Sequence, residues 1–275
     1  MKGFVQLRKF ATISLTGGSC ALSCSYCSSH YISSMEGAMS IDEFEKAVRR
    51  MNSVGVNGFL VSGGFDREGS LHLSKYIPVM RKLKRELGVI FNVHPGLQTK
   101  DVVEDMSDAV DMVDFEFTYT EKSIREKGLN RKPEDYLKML EILMDRGPKY
   151  VIPHVMVGIP GDEPESSIRI ASSFHPYLIN LLVLIPTKGT PSESYEMPKL
   201  EDVVKAMKIS SSLNKTSLGC MRPYPMKKEL DKIAMNYVDR IANPHPSLRD
   251  NMEMYDACCS LPEEFFDRFR MGVRK

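Results

Sequence analysis

The chain has 275 residues, 42% of them apolar, no tryptophan and a net charge of +1. That length supports one sizeable core in a single barrel-sized domain, and the near-neutral balance gives no footprint for nucleic acid or an acidic membrane. The longest apolar stretch, around Leu181–Pro186, is too short to span a bilayer; the N-terminus lacks a charged-then-apolar leader pattern, and the cytoplasm is the expected compartment.

Strand and helix patterns alternate along the chain. Phe10–Leu15 reads as a strand leading into a cysteine-rich loop. Ser40-Ile41-Asp42-Glu43 is a capping box that opens a helix to about Ser53. Gly58–Ser62 is a short apolar strand that ends in Gly63-Gly64, and a helix is expected over Leu71–Glu86. Val89–Val93 is the next strand, followed by a short helix from Lys100; Val113–Phe117 is a fourth strand. Pro133 starts a helix over Glu134–Arg146, with Tyr136, Met139, Leu140 and Leu143 on one face. Strands at Tyr150–Val157 and Asn180–Ile185 flank a helix at Pro164–Phe174, and Leu200–Leu213 is the sixth helix.

Six β-α units in succession imply parallel strands with right-handed crossovers. A full eight-fold barrel would fill this length without leaving a tail. The expected fold is therefore α/β, a partial (βα)6 TIM-like barrel over residues 1–216 with a C-terminal extension over 217–275. Within the extension Ser217–Met221 is a candidate seventh strand, and the remainder reads as irregular and helical. Ligands of such a barrel gather at the C-terminal ends of its strands.

The loop after the first strand carries Cys20, Cys24 and Cys27 in a C-x3-C-x2-C spacing, with Tyr26 before the last thiol. Three thiolates on one short loop can hold three irons of a [4Fe–4S] cluster and leave the fourth iron open. Structural zinc would favour a second C-x2-C pair, which is lacking, and a disulfide framework does not suit a long chain without a leader. His94 and His154 fall in or just after strands, where a satisfied core histidine is the expected role; no metal spacing links them. Three more cysteines lie late, at Cys220, Cys258 and Cys259. In an extended segment Cys220 and Arg222 would share a face. Buried structural thiols are one reading of these cysteines; ligands of a second iron–sulfur cluster are the other.

The cysteine loop resembles the cluster motif of radical S-adenosylmethionine (SAM) enzymes, and Tyr26 stands where that family usually has an aromatic. The resemblance implies that SAM chelates the open iron through its amino and carboxylate groups. It is then cleaved to methionine and a 5′-deoxyadenosyl radical. Ser62-Gly63-Gly64-Phe65-Asp66 resembles the family's Gly-Gly-Glu segment, whose backbone binds the methionine amino group. Phe65 replaces the acid, Asp66 comes one place late, and a plain tight turn is the alternative. Glu116, at a strand end, occupies the place of a polar residue on the SAM ribose, with simple solvation as the alternative. Gly158-Ile159-Pro160-Gly161 resembles the G-x-I-x-G stretch against the adenine. Leu184, in a segment that runs to Pro191 and resembles biotin synthase and its relatives, would face the adenine too.

By the same resemblance, Cys220, Cys258 and Cys259 hold an auxiliary cluster, with Arg222, Ser260, a substrate or a partner as the remaining ligand. Such a cluster implies sacrificial sulfur, with a carbon radical forming a new C–S bond. The Gly189-Thr190-Pro191 and Gly219–Pro223 segments resemble archaeal biotin synthase-like proteins, some of which pair as a two-protein lipoyl synthase. The implied substrate is an octanoyl chain on a lysine of a carrier protein. The implied partners are a second radical SAM subunit and an electron donor such as ferredoxin or flavodoxin. A radical SAM mutase without sulfur insertion is the alternative enzyme, and a structural metal-binding module the non-enzymatic one.

Overall fold

A computed structural model describes residues 1–272. Eleven parallel strands form one open, curled sheet. They are β1 (Lys2–Val5), β2 (Phe10–Ser14), β3 (Glu36–Gly37), β4 (Gly58–Ser62), β5 (Ile90–Val93), β6 (Met112–Glu116), β7 (Tyr150–Val157), β8 (Ile179–Val183), β9 (Thr216–Leu218), β10 (Arg240–Ala242) and β11 (Glu253–Asp256). The spatial order is β11-β1-β10-β9-β8-β7-β6-β5-β4-β2-β3. The β-α alternation expected for the first six units holds. The helices are α1 (Ile41–Ser53), α2 (Ile77–Leu87), α3 (Lys100–Met106), α4 (Glu121–Glu126), α5 (Pro133–Arg146), α6 (Pro164–Ser173), α7 (Leu200–Leu213), α8 (Tyr224–Ala234) and α9 (Phe266–Phe269). Among the described residues no helix is long and apolar enough to cross a membrane.

Local rules explain most boundaries. Ser40 caps α1 with Glu43 returning the bond, the reciprocal pair that the sequence predicts. Helix α2 starts at Ile77, six residues later than expected. Pro78 suits only the first helical turn, and Leu71 and Leu73 bury in an extended turn upstream, where the Leu71 N–H donates to the Pro95 carbonyl.

The segment beyond residue 216 is more regular than its sequence suggests, and the sheet does not break there. Its final residues, 273–275, lie outside the described residues. β9 pairs with β8, β10 pairs with β9, and β1 from the N-terminus sits between β10 and β11. These strands are three or four residues long, too short for their alternation to register in sequence.

Side chains on the two faces of the sheet have separate environments. Phe59, Val61, Phe91, Val93, Val113, Phe115, Val155 and Val183 pack with the helices in the main apolar core. The opposite face lines the bore. At its lower end Phe10, Leu60, Ile90, Met112, Ile152 and Leu178 meet Phe4, Tyr255, Leu261, Phe266 and Phe269. The C-terminal segment therefore closes the bottom of the barrel. Its hold on the N-terminal strands is polar as well: the Asp256 carboxylate accepts from the N–H groups of Leu7, Arg8 and Lys9 at 2.7–3.2 Å.

Replacing Asp256 with Ala strands these three donors. Because hydrogen bonds to a charged group contribute ~1.5–3 kcal/mol, a loss of about 3 kcal/mol is expected, read as a lower urea midpoint with unchanged slope.

Candidate active site

The cysteine loop sits over the C-terminal end of the sheet because β4 ends in glycine. A Cβ placed on Gly64 would lie 1.9 Å from the Ser19 carbonyl oxygen and 2.4 Å from the Cys20 Cα. Only glycine lets the two segments pack so closely. The Gly64 N–H donates to Thr16 Oγ1 at 2.6 Å, and the Ala21 N–H donates to the Phe65 carbonyl at 2.8 Å. Gly63 and Phe65 line the cavity beside the loop; Asp66 faces elsewhere. Its carboxylate accepts from the N–H groups of Glu68 and Ser70, both at 2.9 Å, and so closes its own turn. The expected SAM contact of Asp66 is thus replaced by a turn, a common use of Asp side chains.

Cys20, Cys24 and Cys27 open onto a cavity of about 230 Å³ at the mouth of the bore. Its apolar wall includes Leu22, Phe65, Leu97, Leu129, Met156 and Leu182. Burial pushes the Cys24 thiol up to about 12; the neighbouring Glu116 charge adds to this and Lys127 opposes it. Burial likewise raises Cys27. Buried thiols of this kind ionise when a metal takes the proton's place, so the donor set fits an iron–sulfur cluster, which the protein would hold through these three sulfurs.

Beside the loop lies a network that the sequence did not reveal. Tyr26 donates to Glu116 Oε1 at 2.8 Å, and Lys127 Nζ stands 3.3 Å from the same oxygen. Lys127 is buried, with its ammonium 4.5 Å above the Tyr136 ring. Burial opposes the Glu116 charge, but Lys127 and Tyr26 outweigh it and leave the carboxyl below its ordinary value. The Lys127 carbonyl also accepts from Cys24 Sγ at 3.6 Å. Glu116 is therefore neither freely solvated nor unpartnered, though 35% of its side chain stays open to the cavity. Nothing in the sequence marks Lys127, which follows the charge-rich run Glu121–Glu126; the fold turns it inward.

Ile159 and Leu184 are buried with Tyr26, Met156 and Leu182 in a small apolar cluster behind the cysteine loop. Gly158 has φ +95°, and a Cβ there would meet the Pro198 ring at 2.4 Å. These three residues shape the wall next to the cavity.

Lower in the bore a polar layer replaces the apolar one. His154, Asn180 and Ser217 form one register row across β7, β8 and β9. Asn92 donates to Asp114 Oδ2 at 2.8 Å. His94 Nε2 lies 3.4 Å from Asp114 Oδ2, and His154 Nε2 lies 3.4 Å from Asp114 Oδ1. The histidines that sequence treats as separate core residues thus meet on one carboxylate, and all three side chains line the cavity. Burial disfavours charge on Asp114, yet the two histidines outweigh it and hold its carboxyl well below the usual range. An acid inside an apolar strand was the available signal, since buried Asp is rare without a partner.

Of the late cysteines, Cys258 reaches this layer. Cys258 Sγ is 3.7 Å from Asn92 Nδ2 and 3.8 Å from Asp114 Oδ2. Cys259 is buried in the lower cluster. The two adjacent thiols shift each other in opposite directions, lowering Cys259 to about 7 and raising Cys258; burial adds to the rise. Cys220 retains solvent access although protein surrounds its thiol. Desolvation pushes that thiol up to about 11, the nearby Cys259 adds to the shift and Arg222 opposes it. Ser260 Oγ is buried without a partner. Arg222 does not face a ligand. It pairs with the fully buried Asp231 at 2.7 Å, and its remaining donors go to the carbonyls of Gly219, Ala242 and Asn243. The expected metal-ligand role of Arg222 is thereby corrected: its guanidinium ties the segment after β9 to α8 and β10.

A partial parallel barrel with a three-thiol loop over its strand ends defines the class of protein. The radical SAM superfamily matches residues 14–172, and the chain belongs to that family, which implies a [4Fe–4S] cluster and SAM. It is 21% identical over 214 residues to the biotin synthase of Vesicomyosocius okutanii, covering 74% of this chain and 66% of that protein. It is 23% identical over 208 residues to the biotin synthase of Paramagnetospirillum magneticum, covering 72% and 63%. The chain thus spans just under two thirds of these curated relatives. Among solved structures, methylornithine synthase (PylB) superposes with a TM-score of 0.61 at 14% identity, over 90% of this chain and 74% of that one. The [FeFe]-hydrogenase maturase HydG gives 0.62 at 13% identity, over 88% and 56%. These two likenesses show the fold alone.

Two substitutions test the site. Gly64→Ala forces the β4 turn away from the cysteine loop, so iron bound per chain after anaerobic reconstitution should fall well below wild type while the fold persists. Lys127→Met leaves Glu116 without its cation. Breaking a buried pair costs ~3–5 kcal/mol, and the partial exposure of Glu116 places the expected loss near ~3 kcal/mol by denaturant titration.

Proposed function

We propose that this chain is a radical SAM sulfur-inserting enzyme, one component of a lipoyl synthase pair. Its proposed substrate is an octanoyl chain carried on a lysine of a carrier protein. The observation that carries the reading is the position of Cys258, whose sulfur lies 3.8 Å from Asp114, a residue of the same cavity that Cys20, Cys24 and Cys27 line. A sulfur source held there would lie within the chamber that receives the substrate.

When bound, a [4Fe–4S] cluster on Cys20, Cys24 and Cys27 supplies the electron that cleaves SAM to methionine and a 5′-deoxyadenosyl radical, and an auxiliary cluster on Cys220, Cys258 and Cys259 supplies sulfide. The chain's own part is placement and exclusion. Gly63 and Gly64 keep the β4 turn low, so backbone can approach the methionine end of SAM. Tyr26 and Lys127 hold Glu116 anionic at the cavity wall, a fit for a ribose hydroxyl donor. Ile159 and Leu184 back the wall on the adenine side. Leu22, Phe65, Leu97, Leu129, Met156 and Leu182 offer an apolar lining that suits an alkyl chain and keeps water from a carbon radical. Arg222 is left out of the ligand set, which makes Ser260, the substrate or a partner the remaining candidates. A second radical SAM subunit and a ferredoxin or flavodoxin complete the proposed system.

Iron and sulfide are counted after anaerobic reconstitution of wild type and of a Cys20→Ala, Cys24→Ala, Cys27→Ala variant. About eight iron atoms per wild-type chain and about four in the variant are expected for two [4Fe–4S] clusters. About four and about zero would remove the sulfur source and overturn sulfur insertion, leaving a radical SAM mutase as the enzyme.

A further inference from the structure

The polar layer of the bore contains a contradiction in its hydrogen bonding. Asn180 Nδ2 lies 3.1 Å from His154 Nε2 and, as the donor, marks that nitrogen as an unprotonated acceptor. On the other side Asp114 Oδ1 lies 3.4 Å from the same nitrogen, and this oxygen is buried with no hydrogen-bond partner. With the Asn180 amide in this orientation no hydrogen lies between Asp114 Oδ1 and that nitrogen, and a metal on His154 would take the lone pair from the Asn180 N–H. Asp114 is 2% exposed and Asn180 1%, so bulk water does not satisfy the carboxylate oxygen. An unpaired buried carboxylate oxygen is costly, and a cation between the two atoms removes that cost.

The second histidine completes a site. His94 Nε2 stands 3.4 Å from Asp114 Oδ2, and the three ligand atoms all lie within 4.8 Å of one another. A separation of 3.4 Å is long for an N–H···O bond. It matches the spacing of two ligands on one tetrahedral ion, about 3.4 Å for bonds of about 2.1 Å. The other nitrogen of His94 contacts Ser62 Oγ at 3.3 Å, the kind of outer contact that fixes the ring of a metal-bound histidine. Asn92 donates to the same carboxylate at 2.8 Å and orients it.

We propose that His94, Asp114 and His154 bind a single divalent transition-metal ion, such as Zn²⁺ or Fe²⁺. Two imidazoles and one carboxylate suit ions of that class and leave coordination positions open. All three residues line the cavity shared with the cysteine loop, so the open positions take a heteroatom of the substrate, such as an amide oxygen, and hold it below the SAM end of the chamber. The site takes no ligand from the six cysteines, although Cys258 Sγ lies 3.8 Å from Asp114 Oδ2. The competing arrangement is a proton on His154 with the Asn180 amide turned over, which satisfies the same atoms without a metal.

The test is Co²⁺ titration of the full-length chain carrying alanine at all six cysteines, followed by d–d absorption, which reports the ligand set without any activity. Bands of nitrogen and oxygen ligation saturating at one Co²⁺ per chain are expected. Asp114→Asn and His154→Gln should abolish them, and Ser62→Ala should weaken binding about tenfold, the usual cost of losing an outer contact. No saturable Co²⁺ band, or a band that survives both Asp114→Asn and His154→Gln, overturns the proposal and favours the protonated histidine. If the six-alanine chain fails to fold, the titration is made on wild type. His94→Gln, on the cavity wall, must then remove one Co²⁺ per chain and leave the thiolate-to-cobalt charge-transfer bands in place; a failure to do so likewise overturns the site.

Discussion

The bore of the barrel has to be filled, and the way it is filled governs everything above it. Parallel strands whose inward side chains do not meet a partner would leave a void, at a cost that grows with its volume. Here the lower end is closed by residues from both ends of the chain: Phe4 from β1, Tyr255 from β11, and Leu261, Phe266 and Phe269 beyond it. That plug anchors the N-terminal strand between β10 and β11. It also carries Cys258 and Cys259 up to the polar layer. Without it the strand ends would still position a cysteine loop, but the late cysteines would have no fixed relation to the cavity.

Above the plug the interior changes from apolar to polar to half-open within a few residues per strand. Ile90, Asn92 and His94 follow one another up one side of the bore, as do Met112, Asp114 and Glu116 on the next strand. This gradient separates two kinds of electrostatics. In the middle layer one carboxylate meets two imidazoles. In the upper layer a buried Lys127 and a tyrosine hold Glu116 beside thiols that burial keeps protonated until metal binds. Low dielectric strengthens each of these interactions and makes each unpaired atom expensive. The orphaned oxygens of Asn92, Asp114 and Asn180 are therefore informative about what the bore holds.

Fold and function separate here in a familiar way. PylB and HydG share the architecture at 13–14% identity, and a shared barrel leaves the substrate open. The match to the radical SAM superfamily covers residues 14–172, so it spans the cysteine loop and the glycine turns but stops before β8, β9 and the late cysteines. The late cysteines and the plug beneath the bore lie in the part the family match does not reach.

The sequence by itself determined the β-α alternation, the three-thiol loop and the glycine turns that face it. Each is encoded locally, by side-chain period, by thiol spacing or by a pair of glycines, and local codes survive without a partner. Tertiary structure alone decided the rest. Asp66 stands one place beyond the motif's acid and closes its own turn. Arg222 looks like a free ligand beside Cys220 yet is bound to Asp231. His94 and His154 stand sixty residues apart in sequence and meet only because β5, β6 and β7 are neighbours with one inward face. Lys127 carries no mark in the sequence and is buried under Tyr136. The histidines meet across sixty residues of chain, whereas Asp66, Arg222 and Lys127 find their partners within nine residues; in each case the fold sets which way the side chain turns. The free energy of each contact depends on burial, which no local spacing records.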